Sequence, residues 1–366
     1  MDILKKYENF EDKRLDIALE SLKKEIVGKE LILYGVSSTG RTASKTLLNN
    51  NINIKYFCDD CETIQGQIVN GIKILSFDEI LKLGSKENFV FLITTRPYHK
   101  VVCDKLMCNN FNQICYYPEL LIDTISPLKL DEYSDSIGNL FKILSDEKSK
   151  LVVKNIIENI VTRNIDQLSL TRDDIQYFDE EIIKLSPNEV LVDAGAYTGD
   201  TIKIFNELTG GTFEKIYAFE PDEKNFEILE KTSSADNIVL HNSGLYGMNG
   251  KIGFVGGIAA VSHVCEENIK GREIDVVKLD DMIMLSGNDI PTFIKMDIEG
   301  AEIAALQGAE KIIKMYKPKL AICIYHELEH LWDIPLYIKN MVPEYDIFIR
   351  HYTNSIVDTI CYAVIK

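Results

Sequence analysis

Two carboxylates flanking a glycine turn are the residues of this chain best placed to do chemistry. Glu189-Val-Leu-Val-Asp193-Ala-Gly195-Ala-Tyr197-Thr-Gly199-Asp200-Thr201 reads as a buried strand, a turn and a helix start; Ile216-Tyr-Ala-Phe-Glu220-Pro221 reads as a second strand ending in an acid. This order and spacing is how a Rossmann-like sheet holds a nucleoside. Gly195 and Gly199 let the backbone turn sharply and approach a ligand without a Cβ in the way. Glu220 is placed to accept hydrogen bonds from both ribose hydroxyls, and Asp193 to face the other end of the ligand or to structure the turn. No Lys follows the last glycine, and Asp193 and Asp200 make the turn acidic, so a cationic ligand suits it better than a pyrophosphate. A nucleoside carrying a sulfonium, S-adenosylmethionine, meets that requirement. Tyr197, Thr201, Pro221, Asn242 and Asp297 complete the expected cofactor contacts.

A denser acidic group lies further on, in Phe293-Ile-Lys-Met-Asp297-Ile-Glu299-Gly300-Ala-Glu302. Asp297 and Glu299 alternate along a strand end and Gly300-Ala301 opens a helix that carries Glu302, so three carboxylates crowd one loop at the carboxyl edge of a sheet. Such crowding is costly unless a sulfonium, a substrate hydroxyl or a divalent ion satisfies it. Asp297 reads as functional, Glu302 as a cap or a solvated residue, and no metal site is assigned. Methyl transfer from a sulfonium to a hydroxyl already has a good leaving group, so alignment supplies most of the rate, ~7–11 kcal/mol in favourable cases. A base that removes the hydroxyl proton adds ~10² to 10⁴-fold. His326, at a strand end, is the first candidate base, with Asp297 and Glu299 next.

The acidic run, with Asp193-Ala-Gly195 and Phe219-Glu220-Pro221, resembles the FkbM-type S-adenosylmethionine-dependent methyltransferases, whose signature is a D-x-E-G-A-E run ending a central strand. The resemblance covers roughly Gln176 to Lys366. The late segments Ile324-Tyr325-His326 and Ile349-Arg350-His351-Tyr352, leading into Asp358-Thr-Ile-Cys-Tyr-Ala, resemble members with an added N-terminal domain. The resemblance implies a class I methyltransferase fold and O-methylation, commonly of a sugar or another hydroxyl-bearing metabolite.

The elements that position these residues fall into three segments of an α/β chain: a helix and small Rossmann-like domain over 1–120, a helical bridge over 121–185 and the methyltransferase domain over 186–366. Met1 to about Gly28 reads as a helix with Leu15, Ile17, Ala18, Leu22 and Ile26 on one face. Glu30–Tyr34, Ile52–Phe57 and Asn88–Thr94 read as strands, Arg41–Asn50 as a helix, and the unit closes near Pro118. In the bridge, Leu151–Val161 is the most periodic piece. Later strands are expected over Glu189–Val192, Lys215–Phe219, Ile238–His241, Ile252–Val255, Thr292–Met296, Lys319–Tyr325, Tyr345–Ile349 and Thr359–Ile365.

At 366 residues the chain is long enough for two domains, and its net charge of -17 argues against nucleic-acid or membrane-surface binding. No signal-peptide pattern or long apolar run appears, so a soluble, cytoplasmic protein is expected. Its eight cysteines, including the Cys58-Asp-Asp-Cys61 pair and the single Cys103, Cys265, Cys323 and Cys361, read as structural thiols of a reducing compartment. His326-Glu-Leu-Glu-His330 has the H-E-x-x-H form of zinc proteases, but it follows directly on a strand and Pro335 stands close behind, so the necessary helix is not expected. Gly35-Val-Ser-Ser-Thr-Gly40-Arg41-Thr42 differs by one residue from a phosphate-binding loop, and Arg41 lacks the compact charge of the loop's Lys. With Asp59 at the next strand end, Gly35 and Gly40 form a candidate nucleotide-sugar site. The rival reading is a non-catalytic nucleotide-sugar binding or scaffold protein.

Overall fold

A computed structural model describes residues 13–95, 99–117, 120, 130–162, 168–171, 173, 175–255, 258–259, 272–286, 289–353 and 357–365. The expected helical start before residue 13, the closing Pro118 and Cys265 lie outside the described residues. Chain contacts divide the molecule into two units, residues 2–130 with 160–164 in one and 131–159 with 165–366 in the other.

The N-terminal unit runs α1 (Arg14–Glu25), β1 (Glu30–Tyr34), α2 (Ser38–Asn49), β2 (Tyr56–Cys58), β3 (Ile68–Val69), β4 (Ile72–Leu75), α3 (Phe77–Leu81), β5 (Phe89–Ile93), α4 (His99–Cys108) and β6 (Ile114–Cys115). Its sheet has the order β3-β4-β2-β1-β5-β6, parallel apart from the β3–β4 hairpin. Leu31–Tyr34 and all of β5 are buried, as continuous apolar runs in a parallel sheet should be. Helix α1 buries Ala18, Leu19 and Leu22, whereas Ile17, expected on that face, is 61% exposed. Five residues, about 140° of rotation, separate Ile17 from Leu22, which places it off the buried stripe. The β3–β4 turn is Asn70-Gly71, both at positive φ, as a two-residue hairpin loop requires.

The C-terminal unit takes in α5 (Ser134–Ile143) and α6 (Glu147–Thr162) as far as Asn159. It continues with β7 (Val190–Ala194), α7 (Asp200–Leu208), β8 (Lys215–Phe219), α8 (Glu223–Thr232) and β9 (Ile238–His241). A smaller group follows: β10 (Gly244–Leu245), β11 (Gly250–Val255), β12 (Ile258–Ala259) and β13 (Arg272–Val277). The remaining elements are α9 (Leu279–Ser286), β14 (Phe293–Met296), α10 (Glu302–Gly308), α11 (Glu310–Tyr316), β15 (Lys319–Cys323), α12 (His330–Met341), β16 (Asp346–His351) and β17 (Thr359–Val364). The main sheet has the order β16-β17-β15-β14-β7-β8-β9, parallel except for β17, which runs antiparallel to both neighbours.

From β7 the chain winds outward through β8 and β9 on one side and resumes with β14 and β15 on the other. The carboxyl ends of β7 and β14 therefore part into a crevice, where ligands of such sheets bind. Leu191, Phe205, Ile216, Phe293, Ala321 and Tyr362 form part of the core around this sheet. The smaller sheet, order β10-β13-β11-β12, packs Tyr246, Ile274 and Val276 against Ala301 and Ile298 of the acidic loop. Of its strands only β11 was legible as a run of apolar residues.

Candidate active site

The glycine turn is shaped by protein contacts. Gly195, at φ +75°, sits where a Cβ would overlap the carbonyl oxygen of Asp297, so its lack of a side chain lets the ends of β7 and β14 meet. Gly199 caps α7 at φ +91°, and a Cβ there would press on the Ser233 and Thr232 hydroxyls. Both glycines thus serve close approach within the protein, where the sequence pointed to approach by a ligand. Asp200 opens α7 on the exposed side and Thr201 is buried beside it.

Asp193 lies near the carboxyl end of β7. It is fully buried 2.9 Å from the Lys295 Nζ, and Lys295 also donates to the carbonyls of Gly195 (2.8 Å) and Ala194 (3.3 Å). Burial lowers the ammonium pKa, but the carboxylates of Asp193 and Asp297 outweigh it and keep Lys295 protonated. Asp193 is thus linked through Lys295 to the carbonyls of the turn, and Lys295 is the partner that strand periodicity could not reveal.

Glu220 follows β8 and is 6% exposed. Its two oxygens accept the backbone N–H groups of Tyr197 and Asp222, each at 2.9 Å, and its own carbonyl accepts the Asn242 side-chain amide at 2.9 Å. Burial raises its pKa despite those donors. With one backbone donor on each oxygen the carboxylate retains acceptor capacity. Pro221 follows it near Gly244, and the Tyr197 side chain is exposed at the turn with φ +48°.

Across the switch point, Asp297 is gripped at both oxygens: Tyr177 OH donates to Oδ2 at 2.8 Å and Tyr325 OH to Oδ1 at 3.1 Å. Burial works against the carboxylate, but Lys295, His326 and the Tyr177 hydroxyl hold its pKa below the ordinary aspartate value. His326 follows β15 with Nε2 3.4 Å from Asp297 and 3.7 Å from Glu299, and Nδ1 2.9 Å from Glu302. Desolvation disfavours its charged form, but the three carboxylates win and push its pKa up to about 9. At neutral pH His326 is an imidazolium with no free lone pair, which weakens its candidacy as a base. Glu299, at φ +56°, lies on the exposed rim.

Glu302 is fully buried, accepting the Ile298 N–H at 3.0 Å and lying 3.4 Å from His330 Nδ1. A cap or a solvated residue was expected there; the bond to Ile298 fits a cap, whereas the burial differs from a solvated helix start. His326 and His330 do not share a helix face, because α12 begins only at His330. That helix runs on through Pro335, so of the two expected obstacles the proline is none, and the metalloprotease geometry fails because His326 follows on the strand. Sequence reasoning gave Tyr177 and Lys295 no role; the fold brings Tyr177 to Asp297 and Lys295 to Asp193, and sets His330 beside Glu302.

In the N-terminal unit, Asp59 accepts the backbone N–H groups of Val36 (2.8 Å) and Cys61 (2.9 Å). A Cβ at Gly40 would overlap the Gly35 carbonyl, and Gly35 itself is at φ +111°. This acid closes its glycine turn much as Glu220 closes the other.

The strand order of the main sheet, its glycine turn and the acid after β8 define a class I methyltransferase fold. Residues 193–355 match the family described as the methyltransferase FkbM domain. The crystal structure of methyltransferase FkbM from Methylobacillus flagellatus KT is similar over 95% of this chain and 98% of that one, with TM-score 0.61 and 24% identity. Lesser similarity extends to the Methanococcus jannaschii fibrillarin pre-rRNA processing protein (TM-score 0.31, 12% identity, 50% of this chain and 69% of that one). A SAM-dependent methyltransferase from Aquifex aeolicus is matched with TM-score 0.28 and 12% identity over 56% of this chain and 99% of that one. No curated protein matches the chain. No helix among the described residues is long and apolar enough to cross a membrane.

Proposed function

We propose that the chain is an S-adenosylmethionine-dependent O-methyltransferase acting on a hydroxyl of a sugar, a glycan precursor or another small metabolite. The observation that carries this reading is the pairing, across the switch point, of Glu220 beside the glycine turn with Asp297 at the end of β14. Glu220, buried and pinned by two backbone donors, has acceptor capacity left for ribose hydroxyls, and the acidic crevice suits a cation. When bound, S-adenosylmethionine supplies an electrophilic methyl group. Asp297, held ionised and fixed by two tyrosines, orients the acceptor hydroxyl and takes its proton as the oxygen bonds to carbon. His326 balances the surrounding carboxylates, and Glu299 meets the acceptor at the rim.

Asp297→Asn tests this assignment. Affinity for S-adenosylmethionine should stay within a few-fold while methyl transfer to an acceptor found by substrate screening falls ~10² to 10⁴-fold, the span of a lost acid–base group. Unchanged turnover removes Asp297 from the chemistry. A second site is supported by the N-terminal turn: Asp59 stands to Val36 as Glu220 stands to Tyr197, so a nucleotide or nucleotide sugar at Gly35–Gly40 is the proposed ligand of that unit.

A further inference from the structure

The cluster behind Asp297 has more buried polar atoms than its hydrogen bonds satisfy. Glu302 Oε2, His326 Nδ1 and His330 Nδ1 are all buried without a hydrogen-bond partner. The side chains concerned are 0%, 9% and 7% exposed. His326 Nδ1 is 2.9 Å from Glu302 Oε1, yet the contact is off the axis that a ring N–H needs. An orphaned buried carboxylate oxygen facing orphaned imidazole nitrogens is expensive, and a cation held by Glu302 and His326 satisfies those two side chains.

We propose that Asp297, Glu302 and His326 bind one divalent first-row transition ion. One donor atom from each lies within 4.8 Å of the other two. Two ligands on an ion at about 2.1 Å lie about 3.4 Å apart at the tetrahedral angle, so shifts of roughly an ångström bring the three into a coordination sphere. One imidazole with two carboxylates suits Mn²⁺, Fe²⁺ or Zn²⁺ better than Ca²⁺ or Cu⁺. The surroundings already resemble an outer shell: Tyr177 and Tyr325 donate to Asp297, the Ile298 N–H donates to Glu302, and His330 stands beside its second oxygen. If the methyl-transfer reading holds, an ion here also lowers the pKa of an acceptor hydroxyl arriving at Asp297; the binding itself does not depend on that reading.

The test uses full-length protein stripped with chelator, titrated calorimetrically with MnCl₂ and with ZnCl₂ in the absence of S-adenosylmethionine and acceptor, in two buffers of different ionisation enthalpy. The expected result is one ion per chain for at least one metal. Glu302→Gln and His326→Ala should weaken it by more than the roughly 10–100-fold typical of an outer-shell change. Absence of binding by both ions, or binding unaltered in both variants, overturns the proposal. Should either variant fail to fold, the wild-type protein decides: Zn²⁺ must shift the His326 ring nitrogens in long-range ¹⁵N–¹H spectra, and unmoved resonances overturn it equally. Failure leaves metal-free methyl transfer intact, since neither readout involves the methyl donor.

Discussion

At the scale of single residues, the site depends on atoms that come closer than most side chains allow. Gly195→Ala should destabilise the protein by about 2–4 kcal/mol, because the new methyl collides with the Asp297 carbonyl and the residue must hold positive φ. The midpoint of urea denaturation reads this, and an unshifted midpoint means that the β7–β14 contact is looser than described. Glu220→Gln is a gentler probe than Glu220→Ala, which would strand the Tyr197 and Asp222 N–H groups as well as remove the ribose acceptor. The Gln variant should weaken S-adenosylmethionine by about 1.5–3 kcal/mol in calorimetry, the range for hydrogen bonds to a charged group. Full affinity would transfer the ribose role elsewhere. The sequence marked Glu220 and Asp297 because strand-end acids are local features; it could not mark Tyr177, which lies 120 positions before the carboxylate it holds.

At the scale of elements, the start of α6 is tied to the sheet through Arg350 of β16. This guanidinium, 2% exposed, meets Asp146 at 2.6 Å and Asp179 at 3.1 Å and bonds the Ser149 hydroxyl at 3.0 Å. Burial raises the Asp146 carboxyl, but Arg350 and Ser149 outweigh it and hold its pKa below the ordinary value. A depressed folded-state pKa contributes stability that is present above the unfolded value, near 3.9, and is lost as pH falls through the folded one. Asp146→Asn should therefore cost about 1–2 kcal/mol at neutral pH, the lower part of the charged-bond range because the carboxylate is partly exposed. Its deficit should vanish in strong acid. A deficit equally large at pH 2 and pH 7, by thermal denaturation, would point to packing as the cause.

At the scale of the molecule, every proposed S-adenosylmethionine contact lies in the unit that holds residues 165–366. A fragment beginning at Asp131 should keep cofactor affinity within a few-fold and lose acceptor affinity or rate, if the N-terminal turn with Asp59 recognises part of the acceptor. Unchanged acceptor kinetics in a soluble fragment would leave that unit a docking or regulatory role. The two units repeat one solution, a strand order that reverses beside a glycine turn closed by an acid.

The sequence by itself determined what local physics can write. Buried strands appear as apolar runs, glycine turns as spaced residues that tolerate positive φ, and strand-end acids as charges that interrupt both. These placed strands over Glu30–Tyr34, Glu189–Val192 and Thr292–Met296, where the fold has Glu30–Tyr34, Val190–Ala194 and Phe293–Met296, and marked Glu220 and Asp297 as site candidates. Tertiary structure alone decided the partners of those acids, because burial and charge balance depend on which distant strands become neighbours. It paired Asp193 with Lys295 through the β7–β14 register, buried Glu302 at the start of its helix, and raised the pKa of His326 by surrounding it with three carboxylates.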